Sequence, residues 1–339
     1  MQLSRRIWIA AVCTFAVLFG ASAASAQQIK LLPSDTELIV TFNIQQMLKS
    51  EVAKANKTII DIAKAKIEEQ LDDKGIAKHL KKADFDLFRD LTSVTIGVPG
   101  GDRNPEEGFI LLEGNFNGDK IEAAITEASK EGGSGVKMTK IAGVKAFEIA
   151  PKDEKVMFLG ILDKKTMIAC GSKKDFEGAV ARLASGKAPA FKAEVIKKLM
   201  STVNNKQSIS MVATSKVLVK LAENAPQAGG NQGQQAMAFL KTMDGFSLAL
   251  TIQKDIDFQL GVNTQDVETA QKYAGVSNLA IGVAKMKMAE AAKQNPKLEP
   301  GVDIVNSIRV TAQGPNLVIR GQITFENLSK LMQLIPMNN

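Results

Sequence analysis

Three apolar patterns occur twice in this chain, in the same order and roughly 150 residues apart. Leu91–Val98 is matched by Met243–Leu250, and Met167–Gly171 by Leu317–Gly321. Between them, Phe116-Asn117 followed by Ile121-Glu122 is matched by Val262-Asn263 followed by Val267-Glu268. A block that recurs at nearly one offset is a supersecondary unit used twice, which predicts two similar tandem domains. The expected division is residues 1–26 as a leader, 27–190 as the first domain and 191–339 as the second, a duplication of the first.

The local patterns set the class. Glu37–Ile44, Leu91–Val98 and Gly108–Phe116 are β-branched, apolar and bounded by turn residues, so they are expected as strands. Val136–Ile141, Val144–Ile149, Val156–Leu162 and Thr166–Gly171 follow as four more short pieces. In the second half, Phe246–Gln253 and Asp257–Val262 flank Lys254-Asp255, and Asn306–Ala312 and Leu317–Thr324 flank Gly314-Pro315-Asn316. Joins of two or three residues force antiparallel pairing. Gln45 to Leu80 is expected as helix broken at Gly75, with Leu48, Val52, Ile59, Ile60, Ala63, Ile67 and Leu71 as its apolar stripe. Asn117 caps a helix to about Lys130, and Asn263 begins a helical stretch to about Lys293, with Gly275 as a point of interruption. The fold class is therefore α+β: two similar domains, each an antiparallel sheet with helices packed on one face.

The N-terminus carries Arg5 and Arg6, an apolar run from Ile7 to Phe19, and a small-residue tract ending Ala24-Ser25-Ala26. That is the pattern of a cleavable secretory signal, with cleavage expected near Ala26 and a periplasmic or extracellular destination. The run is too short for a bilayer span, which needs about 20 apolar residues, and no transmembrane segment is expected after cleavage. Ser4-Arg5-Arg6-Ile7-Trp8 also resembles a twin-arginine signal, so the Sec and twin-arginine routes both stay open. Cleavage removes Cys13 and the only tryptophan, Trp8, leaving Cys170 alone and no intramolecular disulfide. The net charge is +7, with basic residues dispersed rather than set in a stripe between aromatics, which argues against nucleic acid as a partner.

Most catalytic chemistries are poorly supplied. A nucleophile–histidine machine has only His79, in the basic helix end Lys78–Lys82, where it serves the helix dipole more simply than a proton shuttle. Cys170 lies in a strand-like run and is expected to be buried and inert. One histidine and one distant cysteine cannot build a zinc, copper or haem site. Glu113, Asn115, Asn117, Gly118 and Asp119 resemble the start of a calcium loop, but its twelfth position is Ala124, where a bidentate Glu is required. The capping role of Asn117, echoed at Asn263, is the preferred reading. Ser134–Lys137 satisfies S-x-x-K between glycines and a strand, the wrong context for an acylase. Met237, Met243, Met286, Met288, Met332 and Met337 lie in or beside expected helices and are expected mainly as core, with an adaptable apolar groove as the alternative. No catalytic, cofactor-binding or metal-ligating residue is assigned, and no cofactor.

Leu32-Pro33-Ser34-Asp35-Thr36, then a strand and a long helix behind a leader, with hairpin–helix units repeated, resembles secreted bacterial proteins of planctomycete type that share a domain of unknown function. The resemblance implies an envelope location and brings no catalytic residues. The leading expectation is an exported, non-catalytic binding or structural protein whose partner is another envelope protein or an apolar ligand. The alternatives are a carboxylate-dependent hydrolase and a carrier of an apolar ligand in a sheet–helix groove.

Overall fold

The computed structural model describes residues 29–73, 76–101, 103, 107–130, 136–150, 156–187, 190–203, 206–223, 237 and 239–332. The leader, the Gly-rich loop at 131–135 with Ser134, and the 225–235 loop lie outside the described residues. The chain is mixed helix and antiparallel sheet and divides into two compact units, residues 1–49 with 53–193, and residues 50–52 with 194–339.

The first unit runs β1 (Thr36–Phe42), α1 (Ile44–Lys49), α2 (Glu51–Ala55, of which residues 51–52 are counted with the second unit), α3 (Lys57–Asp73), α4 (Ile76–Lys82), α5 (Leu87–Asp90), β2 (Leu91–Pro99) and β3 (Phe109–Gly114). It continues through α6 (Gly118–Lys130), β4 (Val136–Ile141), β5 (Val144–Ile149), β6 (Met157–Ile161), β7 (Thr166–Cys170) and α7 (Lys173–Ser185). Its strands lie in the order β1-β2-β3-β7-β6-β5-β4, every pair antiparallel. The β4–β5 join is a two-residue turn in which Ala142 and Gly143 both take positive φ, 48° and 84°. Such a turn matches the right-handed twist of the strands it connects. The bulkiest fully buried side chains of the unit include Phe109, Phe176, Leu32, Ile44 and Leu111.

The second unit runs α8 (Glu194–Met200), β8 (Ile209–Thr214), α9 (Ser215–Glu223), β9 (Met243–Ile252), β10 (Ile256–Thr264) and α10 (Val267–Gln294). It ends with α11 (Glu299–Ser307), β11 (Arg309–Gln313), β12 (Asn316–Ile323) and α12 (Phe325–Met332). The strand order β8-β9-β10-β12-β11 is again antiparallel throughout. Met243, Phe246, Val262, Ala274, Val310 and Leu317 form its core, with Tyr273 and Ile281 of α10 packed against it.

Four expectations need correction. The helix expected over Gln45–Leu80 is interrupted at Ser50, after which Val52 N–H donates to Gln253 O at 3.1 Å, and again at Asn56; the expected break at Gly75 lies outside the described residues. Asn263 does not cap α10: it sits inside β10, where its Nδ2 donates to Asn316 Oδ1 at 2.7 Å, and Asp266 accepts from Thr269 N–H as the true cap. Gly275 does not interrupt α10, since one glycine costs only about 1 kcal/mol against the surrounding run of good helix formers. The helix α11 was not expected at all, and β11 begins at Arg309 rather than Asn306.

Candidate functional site

Three surface features stand out, two cavities in the first unit and one helix face in the second. The first cavity, of about 430 Å³, is lined by Asp35, Glu37, Gly100, Gly101, Arg103 and Lys192 among others. Its walls are held by backbone: Thr36 Oγ1 donates to Pro33 O, Gly100 N–H to Asp35 O and Lys192 N–H to Ser34 O, all at 2.8–2.9 Å. A Cβ at Gly100 would lie 2.0 Å from the Glu37 carboxyl carbon, so a side chain there would require Glu37 to swing aside.

Arg103 is the centre of this site. Its guanidinium donates to both oxygens of Asp175 at 2.5 and 3.2 Å, to Asp35 at 3.3 Å and to Glu107 at 3.3 Å. The hydrogen bond to Asp175 pushes the guanidinium pKa up, against a smaller opposing effect of burial. Asp175 is 9% exposed and lies in the first turn of α7, so Arg103 ties the start of β1, the loop after β2 and the start of α7 together. Both Asp175 oxygens are engaged, and a carboxylate held that way is not open to a substrate. The arrangement is a clamp, and nothing in the residue pattern around Arg103 had pointed to it.

The second cavity, of about 790 Å³, is lined by Lys30, Glu113, Lys164, Lys165 and Arg182 among others. Arg182 spends Nε and Nη2 on Leu31 O, at 3.1 and 2.8 Å, and burial holds its pKa below the usual guanidinium value. The turn beside it is tied to β3 by Gly114 N–H and Phe116 N–H, which donate to Lys165 O and Lys164 O. Both cavities are open and bordered by charges.

The third feature is the outer face of α10. Its inner face, with Ala270, Tyr273, Ala274 and Ile281, packs on the core, and Asn278 Nδ2 reaches Val310 O at 3.4 Å. On the opposite side Val276, Leu279, Val283 and Met286 are 58%, 75%, 46% and 67% exposed. Met243 is core, as expected of it, whereas Met286 stands in solvent, which corrects the assignment of the helical methionines mainly to the core.

The residues singled out in the sequence do not converge. Cys170 is buried in β7, donates to Ser172 O at 3.3 Å and has its thiol pKa pushed up to about 12, chiefly by burial. We expect it to resist a thiol-specific disulfide reagent in the native protein and to react at the rate of unfolding, measured as labelling against denaturant; fast native labelling would contradict its burial. His79 lies in α4 with Nδ1 enclosed and without a hydrogen-bond partner among the described residues. Asn117 caps α6 by accepting from Lys120 N–H at 3.1 Å, and Ala124, the twelfth position of the supposed calcium loop, is 4% exposed inside that helix. Among the described residues there is no cluster of three or more His, Cys, Asp or Glu side chains able to hold a metal ion. No helix among them is long and apolar enough to cross a membrane.

The fold and these surfaces define a protein of mixed helix and antiparallel sheet, with polar clefts and, among the described residues, an exposed apolar face on α10. No family model and no curated protein matches the chain. Among solved structures it is similar to crystal forms III, I and IV of TP0453, at 13% identity over 92% of this chain and 97–99% of those chains. The TM-scores are 0.46, 0.44 and 0.44.

Proposed function

We propose that this is a non-catalytic binding or structural protein, exported to the periplasm or cell exterior, that works through its surface. The observation that carries the reading is the line of four exposed apolar side chains on α10, Val276, Leu279, Val283 and Met286. Contiguous apolar surface, unlike a single exposed side chain, marks a contact site. The chemistry-bearing groups point the same way: Cys170 is buried, His79 Nδ1 has no hydrogen-bond partner among the described residues, and the Arg103 clamp engages its carboxylates. A carboxylate-dependent hydrolase gains no support from that clamp, and an apolar-ligand carrier gains none from cavities bordered by charges. The export pattern of residues 1–26 supports the location.

We also read the two units as duplicated α+β domains with helices on one face of each sheet. The supporting observation is connectivity: β1-β2-β3-β7-β6 and β8-β9-β10-β12-β11 are the same order, with β2 and β9, and β7 and β12, carrying two of the repeated patterns. The hairpin β4–β5 is extra to the first unit.

The test is native mass spectrometry of the protein purified from its own envelope, beside the Leu279→Lys variant. The reading expects a co-purifying species that the variant loses while its circular dichroism and melting temperature stay unchanged. Turnover of any substrate that vanishes in Asp175→Asn or Asp35→Asn would overturn it.

A further inference from the structure

From the sequence of side chains along the exposed face of α10, we infer that its occupant is a second copy of this chain, bound antiparallel through the same helix. This rests on the surface-binding reading above and names the partner. The outward positions are Lys272, Val276, Leu279, Val283, Met286 and Glu290, spaced 4, 3, 4, 3 and 4 residues apart, and all six are exposed. That is the a/d spacing of a helix-pairing seam. It is also self-complementary. A two-fold axis beside Ile281 and Gly282 sets Leu279 against Val283 of the other copy, Val276 against Met286, and Lys272 against Glu290. Each apolar position meets an apolar one, and each charge meets its opposite. Isologous contact of this kind is the rule for two-fold dimers.

The charges choose between occupants. A parallel pair would bring Lys272 against Lys272 and Glu290 against Glu290. An anionic lipid surface would favour Lys272 and the neighbouring Lys287 and repel Glu290, which closes the same seam. Of these three, the antiparallel copy alone pairs the charges at both ends of the seam. Among the described residues neither Lys272 nor Glu290 has an ion-pair partner in its own chain. Beside the seam, a Cβ at Gly275 or Gly282 would meet nothing within 4 Å, and Ala289 continues that small-residue line one heptad on. Small residues there let a second backbone come close. The seam runs for about 27 Å at the rise of an α-helix. Four apolar side chains and two ion pairs make less than the roughly 800 Å² per partner of a standard interface, so the dimer is weak and reversible, in the micromolar range or above.

Sedimentation velocity over a concentration series tests this on the purified protein. The wild type is expected to move from monomer to dimer as concentration rises, and Leu279→Lys to stay monomeric with unchanged circular dichroism, since that side chain is 75% exposed. Lys272→Glu sets two carboxylates against each other at both ends and should weaken the dimer several-fold. The double variant K272E/E290K restores the opposite charges and should recover it. A wild type that is monomeric throughout, a dimer indifferent to Leu279→Lys, or a charge swap that fails to recover association overturns the inference. Co-sedimentation with phosphatidylglycerol vesicles separates it from the broader reading. A monomeric wild type that pellets with vesicles through Leu279 overturns the second copy and leaves the surface reading standing; no binding in either assay defeats both.

Discussion

Phe176→Ala is expected to lower the unfolding free energy by about 3–5 kcal/mol. Phe176 is wholly buried on α7, and its ring ends against the backbone of β6 at Gly160, where a Cβ would lie 2.3 Å from Phe176 Cζ. The glycine is the hollow and the ring is what fills it. Deleting the ring leaves a void that a β-sheet on one side and a packed helix on the other relax only in part. Gly160→Ala should also destabilise, by about 1–3 kcal/mol, because the new methyl needs the space the ring occupies. The two changes are not independent. In the double variant the methyl enters the room left by the ring, so the loss should fall short of the sum of the single losses by roughly 1–3 kcal/mol. Denaturant titration of the four proteins measures this coupling, and additive losses would mean that the ring and the glycine do not share a space.

The parts of this fold that were legible in the sequence are those governed by near neighbours. Leu91–Val98 and Met243–Leu250 became β2 and β9 because β-branched and apolar runs bounded by turns have few other stable arrangements. Asn117 capped its helix because its side chain reaches Lys120 N–H three residues on. Asn263 carries the same local signal and lost to a distant partner: its amide is used by Asn316, 53 residues away, and the strand runs on to Thr264. In α11, Pro300-Gly301 looks like a break in the chain, yet proline fits the first turn of a helix, whose N–H groups lack partners anyway.

The surfaces were less legible for the same reason. Arg103 meets Asp35 and Asp175 across 68 and 72 residues, a juxtaposition no periodicity encodes. On α10 the difficulty is different. Apolar residues recur on both faces of the helix, and spacing alone does not say which face the sheet covers. Only the packing of Tyr273 and Ile281 inward leaves Leu279 and Met286 outward. The assignment of Met286 to the core failed at that step, and the surface that carries the proposed function is what the failure exposed.

Arg103→Leu is expected to cost roughly 2–4 kcal/mol of stability, the lower end because Arg103 keeps about a quarter of its side chain in water. The loss comes less from the attraction removed than from what stays behind. Asp175 is 9% exposed, and without Arg103 its carboxylate has lost both donors that satisfy it. Asp35 and Glu107, at the rim, still reach water and should contribute little. The clamp therefore predicts an asymmetry. Adding Asp175→Asn to Arg103→Leu removes the stranded charge and should recover about half of the loss, although each change alone destabilises. Arg103→Lys should fall between wild type and Arg103→Leu, because an ammonium keeps the charge but cannot serve both Asp175 oxygens in one plane. Chemical denaturation of the wild type and the four variants decides it. If R103L/D175N is no more stable than R103L, the loss in R103L does not come from a stranded buried carboxylate, and the clamp reading of Asp175 fails.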